Sequence, residues 1–236
     1  MADPEANATG DSIDAEMVRY YAARADEYDD WYLRLGRYSH GAVRDRAWRS
    51  DLAAAQSWLD GLSFRGRIAE LAAGTGWWSP TLAAKGDLTL YDAASEPLAL
   101  AARRVEAAGL AAQTKVRDAW AEPDRVVDGL FTGFWLSHID PGRLDRFFEL
   151  AARWLASDGI FAFIDSRADP DSGAQDHRPP EQGVQVRKLN DGTSFRVLKV
   201  FHEPETLRAA LQRGGFAEIE ISTTDRFFIL GSARRR

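Results

Sequence analysis

The sequence predicts an α/β fold: a mostly parallel sheet of seven strands with an antiparallel ending, preceded by a helical N-terminal segment. Three observations carry this reading. From Arg67 onward, short apolar runs alternate with helical windows, the rhythm of parallel strands joined by crossover helices. The first of these runs ends in a glycine turn, and Pro80 follows where a new helix would take its first residue. Near the C-terminus, residues 217–222 and 226–231 are two strands separated by only a few residues, a connection that suits an antiparallel pair.

The elements follow in order. Residues 1–12 lack apolar periodicity, so 1–13 reads as a flexible tail and 14–236 as one domain. Helical stretches at 14–35 and 39–62 form an N-terminal helical lid, with Val43, Ala47, Leu52, Ala55 and Leu59 spaced about three or four apart in the second. Strands are predicted at 68–73, 88–91, 113–117, 129–133 and 160–164, with helices starting at Pro80, Glu96 and Pro141. The rhythm then breaks. Residues 165–183 are polar and rich in Pro, Gly and Asp, and 184–189 with 193–201 form a β-hairpin around Asn190-Asp191-Gly192. Residues 166–201 are thus an insertion on the side where the strand carboxyl ends open. A helix over Pro204–Arg213 stops at Gly214-Gly215.

Composition narrows the function classes. The chain has 236 residues, 45% hydrophobic and 28% charged, which suits a globular domain. It has no cysteine, which excludes disulfides, thiolate metal sites and a cysteine nucleophile. A net charge of −6 argues against nucleic acid and anionic membranes as partners. The polar N-terminus is unlike a signal peptide and no apolar run is long enough to span a membrane, pointing to the cytoplasm. The expected assembly is a monomer or homodimer.

Three consecutive strand ends carry groups suited to a nucleoside. The first runs Glu70-Leu-Ala-Ala-Gly74-Thr-Gly76, where glycines admit a ligand close to the backbone before a helix N-terminus. The second ends at Asp92, where ribose hydroxyls would lie, and the third at Asp118-Ala119-Trp120, a carboxylate beside an aromatic face. A dinucleotide-binding loop would carry a third glycine where Ser79 stands. Four of the eight tryptophans, Trp77, Trp78, Trp120 and Trp135, follow strand ends closely.

With these motifs, the run Phe131–Ser137 closing at His138, and the antiparallel tail, the chain resembles a class I S-adenosylmethionine-dependent methyltransferase over about residues 20–231. The resemblance implies a Rossmann-like sheet with an antiparallel last strand and S-adenosylmethionine as cofactor. It implies cofactor contacts from Tyr20, Glu70, Gly74, Gly76, Trp78, Asp92, Asp118, Ala119, Trp120 and Phe134. Glu70 would hold the loop and sense the cofactor ammonium, Asp92 would accept the ribose hydroxyls, and Asp118 the adenine amino group. Ala72 stands where the family often has its first glycine; placed in the strand, it should do little harm.

The segment from Tyr20-Tyr21 to Tyr28-Asp29 resembles the lid helix of small-molecule members, with Tyr21, Arg24 and Tyr28 on one helical face. The same spacing also suits core packing. Phe134-Trp135 replaces the Asn/Asp-Pro-Pro-aromatic arrangement used for base or glutamine amino groups. The hairpin holds Arg187, Lys188, Arg196 and Lys199, two of the chain's four lysines. A three-residue turn with Gly192 left-handed would put Arg187 and Lys199 on one face with Phe195 and Val197, and a two-residue turn would separate them. The hairpin, Tyr20-Tyr21 and Trp135–His138 resemble the phosphonate O-methyltransferases of dehydrophos biosynthesis and related actinobacterial small-molecule enzymes of natural product biosynthesis. That resemblance makes Arg187 and Lys199 an anion clamp, with Tyr21, Tyr28 and His138 lining the pocket.

The cations and the absence of an Asp/Asn cluster for a metal favour O-methylation of a small anionic substrate, a phosphonate or carboxylate that needs no base. Two alternatives stay open: a neutral hydroxyl or amine of a natural product with His138 as base, and a cofactor-binding protein without activity.

Overall fold

The computed structural model describes residues 4–236, with side chains described from Ile13 onward. Strands β1 (Arg67–Leu71), β2 (Asp87–Asp92), β3 (Ala112–Val116), β4 (Val127–Gly133), β5 (Leu155–Ser166), β8 (Phe216–Thr223) and β9 (Phe228–Arg235) form one sheet in the order β3-β2-β1-β4-β5-β9-β8. Strands β1–β5 pair in parallel, and β9 is antiparallel to both β5 and β8. The chain moves outward from β1 to β3, then returns to β4 on the other side of β1. The carboxyl ends of β1 and β4 are therefore the switch point where an α/β sheet opens a ligand crevice.

Helices cover both faces because each buries one apolar stripe. Helices α6 (Leu144–Trp154) and α7 (Pro204–Arg213) bury Phe147, Phe148, Trp154, Leu207 and Leu211 on one face. Helices α3 (Ala42–Gly61), α4 (Ser79–Ala83) and α5 (Ser95–Ala107) bury Trp48, Leu59, Leu82, Leu98 and Val105 on the other. The stripe of α3 differs from the predicted one. Val43 is 71% exposed, and Trp48, Asp51, Ala55 and Leu59 face inward. Asp51 is buried because it accepts hydrogen bonds from Thr224 Oγ1 and from the Arg226 and Phe227 amides, fixing the turn between β8 and β9.

The N-terminal segment is broken where the sequence suggested one helix. Helix α1 spans Pro4–Ala23, a 3-10 turn spans Ala25–Glu27, and α2 is only Asp29–Leu33. Arg34 ends α2 in the left-handed region at φ 58°, and its guanidinium donates to the Tyr38, Asp171 and Ser172 carbonyls. Those bonds hold the turn between the two helical stretches, where the sequence places a break. The tail expected over 1–13 falls in part outside the described residues. Among the described residues no helix is long and apolar enough to cross a membrane.

The insertion forms a second sheet, β6 (Val184–Lys188) paired antiparallel with β7 (Ser194–Leu198). Arg187 stands opposite Phe195, Leu189 N–H bonds Thr193 O at 2.9 Å, and Gly192 takes φ 89°. The loop is the three-residue form, so Arg187, Phe195, Val197 and Lys199 share a face. That face turns inward against α1, where Tyr20 packs on Phe195.

Candidate active site

The carboxyl ends of β1–β4 open into a cleft of about 780 Å³, mouth included. Ala72 and Gly74 after β1, Asp92 at the end of β2, Asp118 to Trp120 after β3, and Gly133 to Trp135 after β4 form its floor; Met17, Tyr21 and Tyr28 roof it. Asp92 accepts the Gly74 amide at 2.9 Å on Oδ2 and the Ala94 amide at 2.9 Å on Oδ1. Burial pushes its carboxyl upward, against those two donors. Asp118 accepts the Trp120 amide at 2.7 Å. The space a side chain at Gly74 would fill is open. Among the described residues three carboxylates line the cleft, Asp14, Asp92 and Asp118, of which Asp14 is paired with Arg143 at 2.7 Å.

Four of the residues expected at the cofactor stand outside that lining. Tyr20 is buried between Tyr21 and Phe195. Glu70 is buried beneath the glycine loop and accepts Ser79 Oγ at 2.6 Å, so its contact holds the loop. A Cβ at Gly76 would lie 2.6 Å from that of Ala101, so its glycine allows α5 to pack on the loop. Trp78 is buried against Tyr32 and Phe134, and Trp77 stacks on Tyr32 at 4.1 Å. Of the four tryptophans near strand ends, only Trp120 and Trp135 line the cleft. Ala72 also departs from expectation. It follows β1 instead of lying within it and takes φ 52°, a conformation suited to glycine.

A second pocket of about 450 Å³ lies behind a shared wall of Tyr21, Tyr28, Phe134 and His138, which line both spaces. Phe134 is held there in the left-handed region at φ 57°, its amide bonded to Ile164 O at 2.7 Å. Such strain in a bulky residue tends to gather at functional sites. The second pocket is cationic: Arg24, Arg187 and Lys199 line it, and among the described residues no Asp or Glu does. None of the three is in an ion pair among the described residues. Arg187 donates to Tyr21 Oη at 3.2 Å and to Gln185 Oε1 at 2.9 Å. Lys199 donates to Ser137 Oγ at 2.8 Å and Ser166 Oγ at 3.0 Å. Burial brings its ammonium down to about 7; Asp165 opposes this, and Arg187 and Arg24 add to it.

His138 is fixed in one tautomer. Its Nδ1 lies 2.5 Å from the Leu198 carbonyl, which can only accept, so Nδ1 carries the hydrogen and Nε2 accepts from Tyr21 Oη at 2.7 Å. Burial, with the charges of Lys199 and Arg187, holds the imidazole well below its usual range, hence neutral. Burial likewise pushes the Tyr21 and Tyr28 phenols upward. The lid is fastened to the cofactor loop through Asp29, which accepts Thr75 Oγ1 at 2.8 Å and pairs with Arg104.

The methyltransferase domain family matches residues 68–159, which run from β1 into β5. Over 94% of this chain and 97% of theirs, structures of DhpI with SAH and with SAM and HEP superpose with a TM-score of 0.76 at 28% and 29% identity. Over residues 68–159 the chain is thus similar to that methyltransferase family, and over nearly its whole length it has the fold of the DhpI structures. Magnesium protoporphyrin IX methyltransferase (ChlM) from Synechocystis PCC 6803 with bound SAM shares the fold, with a TM-score of 0.60 at 16% identity over 93% and 95% of the two chains. No curated protein sequence matches the chain.

The cleft fits S-adenosylmethionine, the ligand held by DhpI in one of those structures and by ChlM. Asp92 and Asp118, neither of them in an ion pair among the described residues, suit a cationic ligand with hydroxyl and amino groups to donate, and the Ala119–Trp120 shelf suits a flat base. The sequence did not single out Tyr38, His177 and Ser166, which also line the second pocket. Tyr38 ends a 3-10 turn and His177 lies in the long loop, where apolar periodicity carries no signal.

Proposed function

We propose that the chain O-methylates a small acidic molecule, a phosphonate or carboxylate. One observation carries the reading: two pockets of opposite charge share a wall of Tyr21, Tyr28, Phe134 and His138. The carboxylate-lined cleft suits the cationic cofactor, and the carboxylate-free pocket holding Arg24, Arg187 and Lys199 suits an anion. Unpaired buried cations are costly and are retained where a ligand neutralises them. The likeness to DhpI, held with SAM and HEP, agrees with this assignment.

In the cleft, Gly74, Asp92, Asp118, Ala119, Trp120 and Phe134 hold the cofactor. S-adenosylmethionine supplies a methyl carbon activated by a sulfonium. Arg187 and Lys199 bind the acceptor and aim one of its oxygens at the shared wall. With the cofactor bound, that oxygen would form the new O–CH3 bond as the S–CH3 bond breaks, the bonding pair remaining on sulfur. An ionised oxygen has no proton to lose, so the protein contributes alignment and the exclusion of water, worth up to about 7–11 kcal/mol. Tyr21 and Tyr28, in the shared wall, would enclose the transferring carbon, and burial keeps their phenols neutral.

Arg187→Ala and Lys199→Ala, assayed with methyl- or ethylphosphonate and with short carboxylates, test this. A rise of tenfold or more in KM for an accepted acid is expected. Unchanged KM values would remove the anionic acceptor.

A further inference from the structure

Beyond Arg187 and Lys199 on the hairpin side, the second pocket contains a separate cation that the clamp does not explain. Arg24 lies just after α1, 5% exposed, with no carboxylate partner among the described residues. Its guanidinium is caged by three tyrosine rings, 4.5 Å from the centroid of Tyr28, 5.4 Å from Tyr38 and 5.6 Å from Tyr20. Its hydrogen-bond capacity is largely unspent: Nη2 donates to Tyr38 Oη at 3.0 Å, and Nε is buried without a partner. Five donors on a guanidinium seldom stay idle in a buried site, because each unmet one loses its water without replacement.

The place of Arg24 separates it from the clamp. Arg187 bonds Tyr21, and Lys199 follows Leu198, whose carbonyl holds His138; both act beside the wall shared with the cofactor cleft. Arg24 approaches from the lid side: it packs on the Tyr28 ring of that wall but spends its hydrogen bond on Tyr38, which lines only the second pocket and whose ring meets His177 at 6.2 Å beneath the long loop. His177 is kept neutral there by burial and by Arg187 and Arg37, which bring it to about 3. Two permanent guanidinium charges and one ammonium in one pocket exceed what a singly charged acid neutralises.

We propose that Arg24 and Tyr38 form a distal subsite that reads a second anionic group of the acceptor, so the preferred substrate is a short diacid whose far acid is bound but not methylated. This rests on the anionic-acceptor reading above. The aromatic cage makes Arg24 specificity-determining, since it holds the guanidinium in place without neutralising it.

Calorimetry on the full chain saturated with S-adenosylhomocysteine provides the test, with propylphosphonate and 3-phosphonopropionate as ligands of matched length. The wild-type protein is expected to bind 3-phosphonopropionate at least tenfold more tightly. In Arg24→Gln that preference should vanish, Kd for 3-phosphonopropionate rising at least tenfold more than Kd for propylphosphonate, and Tyr38→Phe should lose part of it. Equal weakening of both ligands in Arg24→Gln, no preference in the wild type, or weaker S-adenosylhomocysteine binding in the variant would overturn the subsite. If neither acid binds the wild type, the anionic-acceptor reading falls and the subsite with it.

Discussion

The Tyr21 hydroxyl lies 2.7 Å from Nε2 of His138, and that single contact defines what the histidine can do. With Nδ1 committed to the Leu198 carbonyl, the ring is neutral and its one acceptor faces the tyrosine. Arg187 donates to the same hydroxyl from the hairpin side, so the three residues set the position of the Tyr21 oxygen in the wall between the pockets.

His138→Ala should therefore slow turnover by about tenfold, the worth of one or two buried hydrogen bonds. The loss should be the same at every pH where the acceptor is ionised. The pH dependence of kcat in wild type and variant checks this. Recovery of the variant at high pH would identify His138 as a base working through Tyr21, and would favour a neutral hydroxyl or amine as acceptor.

Lys199 predicts a pH dependence of the opposite kind. With its pKa near 7, the ammonium that meets the acceptor is lost as pH rises. In the wild type kcat/KM for an acid should fall above about pH 7, and in Lys199→Arg that fall should disappear. Stability follows the same group. The ordinary lysine value is 10.5, so between about pH 7 and 10.5 the unfolded chain binds more protons than the folded one, and stability climbs with pH across that window. Below it the burden of the buried ammonium is complete. Lys199→Met should thus be more stable than wild type by about 1–3 kcal/mol at pH 7, less the two serine bonds, with the gap closing toward pH 10. Denaturant unfolding at both pH values measures it.

Ala72 offers a simpler test. At φ 52° an alanine Cβ crowds the following carbonyl, a strain that glycine lacks. Ala72→Gly should raise stability by up to about 1 kcal/mol once the extra freedom of the unfolded glycine is subtracted. The residue lines the cofactor cleft, and a missing methyl only widens it, so Kd for S-adenosylhomocysteine should stay within about twofold. Thermal melts with and without that ligand check both statements.

The succession of strands, the glycine turn and the place of the hairpin were legible because each is written in a local signal: alternating periods, a Gly-x-Gly step, two short strands about Asn190-Asp191-Gly192. The hairpin register was not, since that turn admits a two-residue or a three-residue loop and only the pairing of Leu189 with Thr193 decides between them. Nor was the break after Ala23, since the 20–33 segment keeps helical spacing across it. The second pocket was half legible. Tyr21, Tyr28, Arg187 and Lys199 stand in recognisable motifs, whereas Tyr38 and His177 meet Arg24 only through folding. The burial of Trp78 and Glu70 depends on how α4 and α5 pack over the glycine loop, which strand-end position alone does not reveal.

Glu70 allows the expectation from sequence to be separated from the contact seen. Its carboxyl is raised to about 8, chiefly by burial, with the Ser79 hydroxyl working against the shift. An ordinary glutamate titrates near 4.5, so from there to about 8 the folded chain binds more protons than the unfolded one, and stability falls as pH rises through that window. Glu70→Gln removes the titrating group and keeps an oxygen for Ser79 to donate to. It should match wild type near pH 4.5 and exceed it by about 1–3 kcal/mol above pH 8, a figure held below the full pKa displacement because an ionised Glu70 would draw in water. Urea midpoints from pH 5 to 9 give the slope. The same variant separates the two roles expected of the residue. If Glu70 only holds the loop, calorimetric Kd for S-adenosylmethionine should change less than threefold at pH 7. A loss of tenfold or more would show that the carboxylate reaches the cofactor ammonium once the cleft is filled.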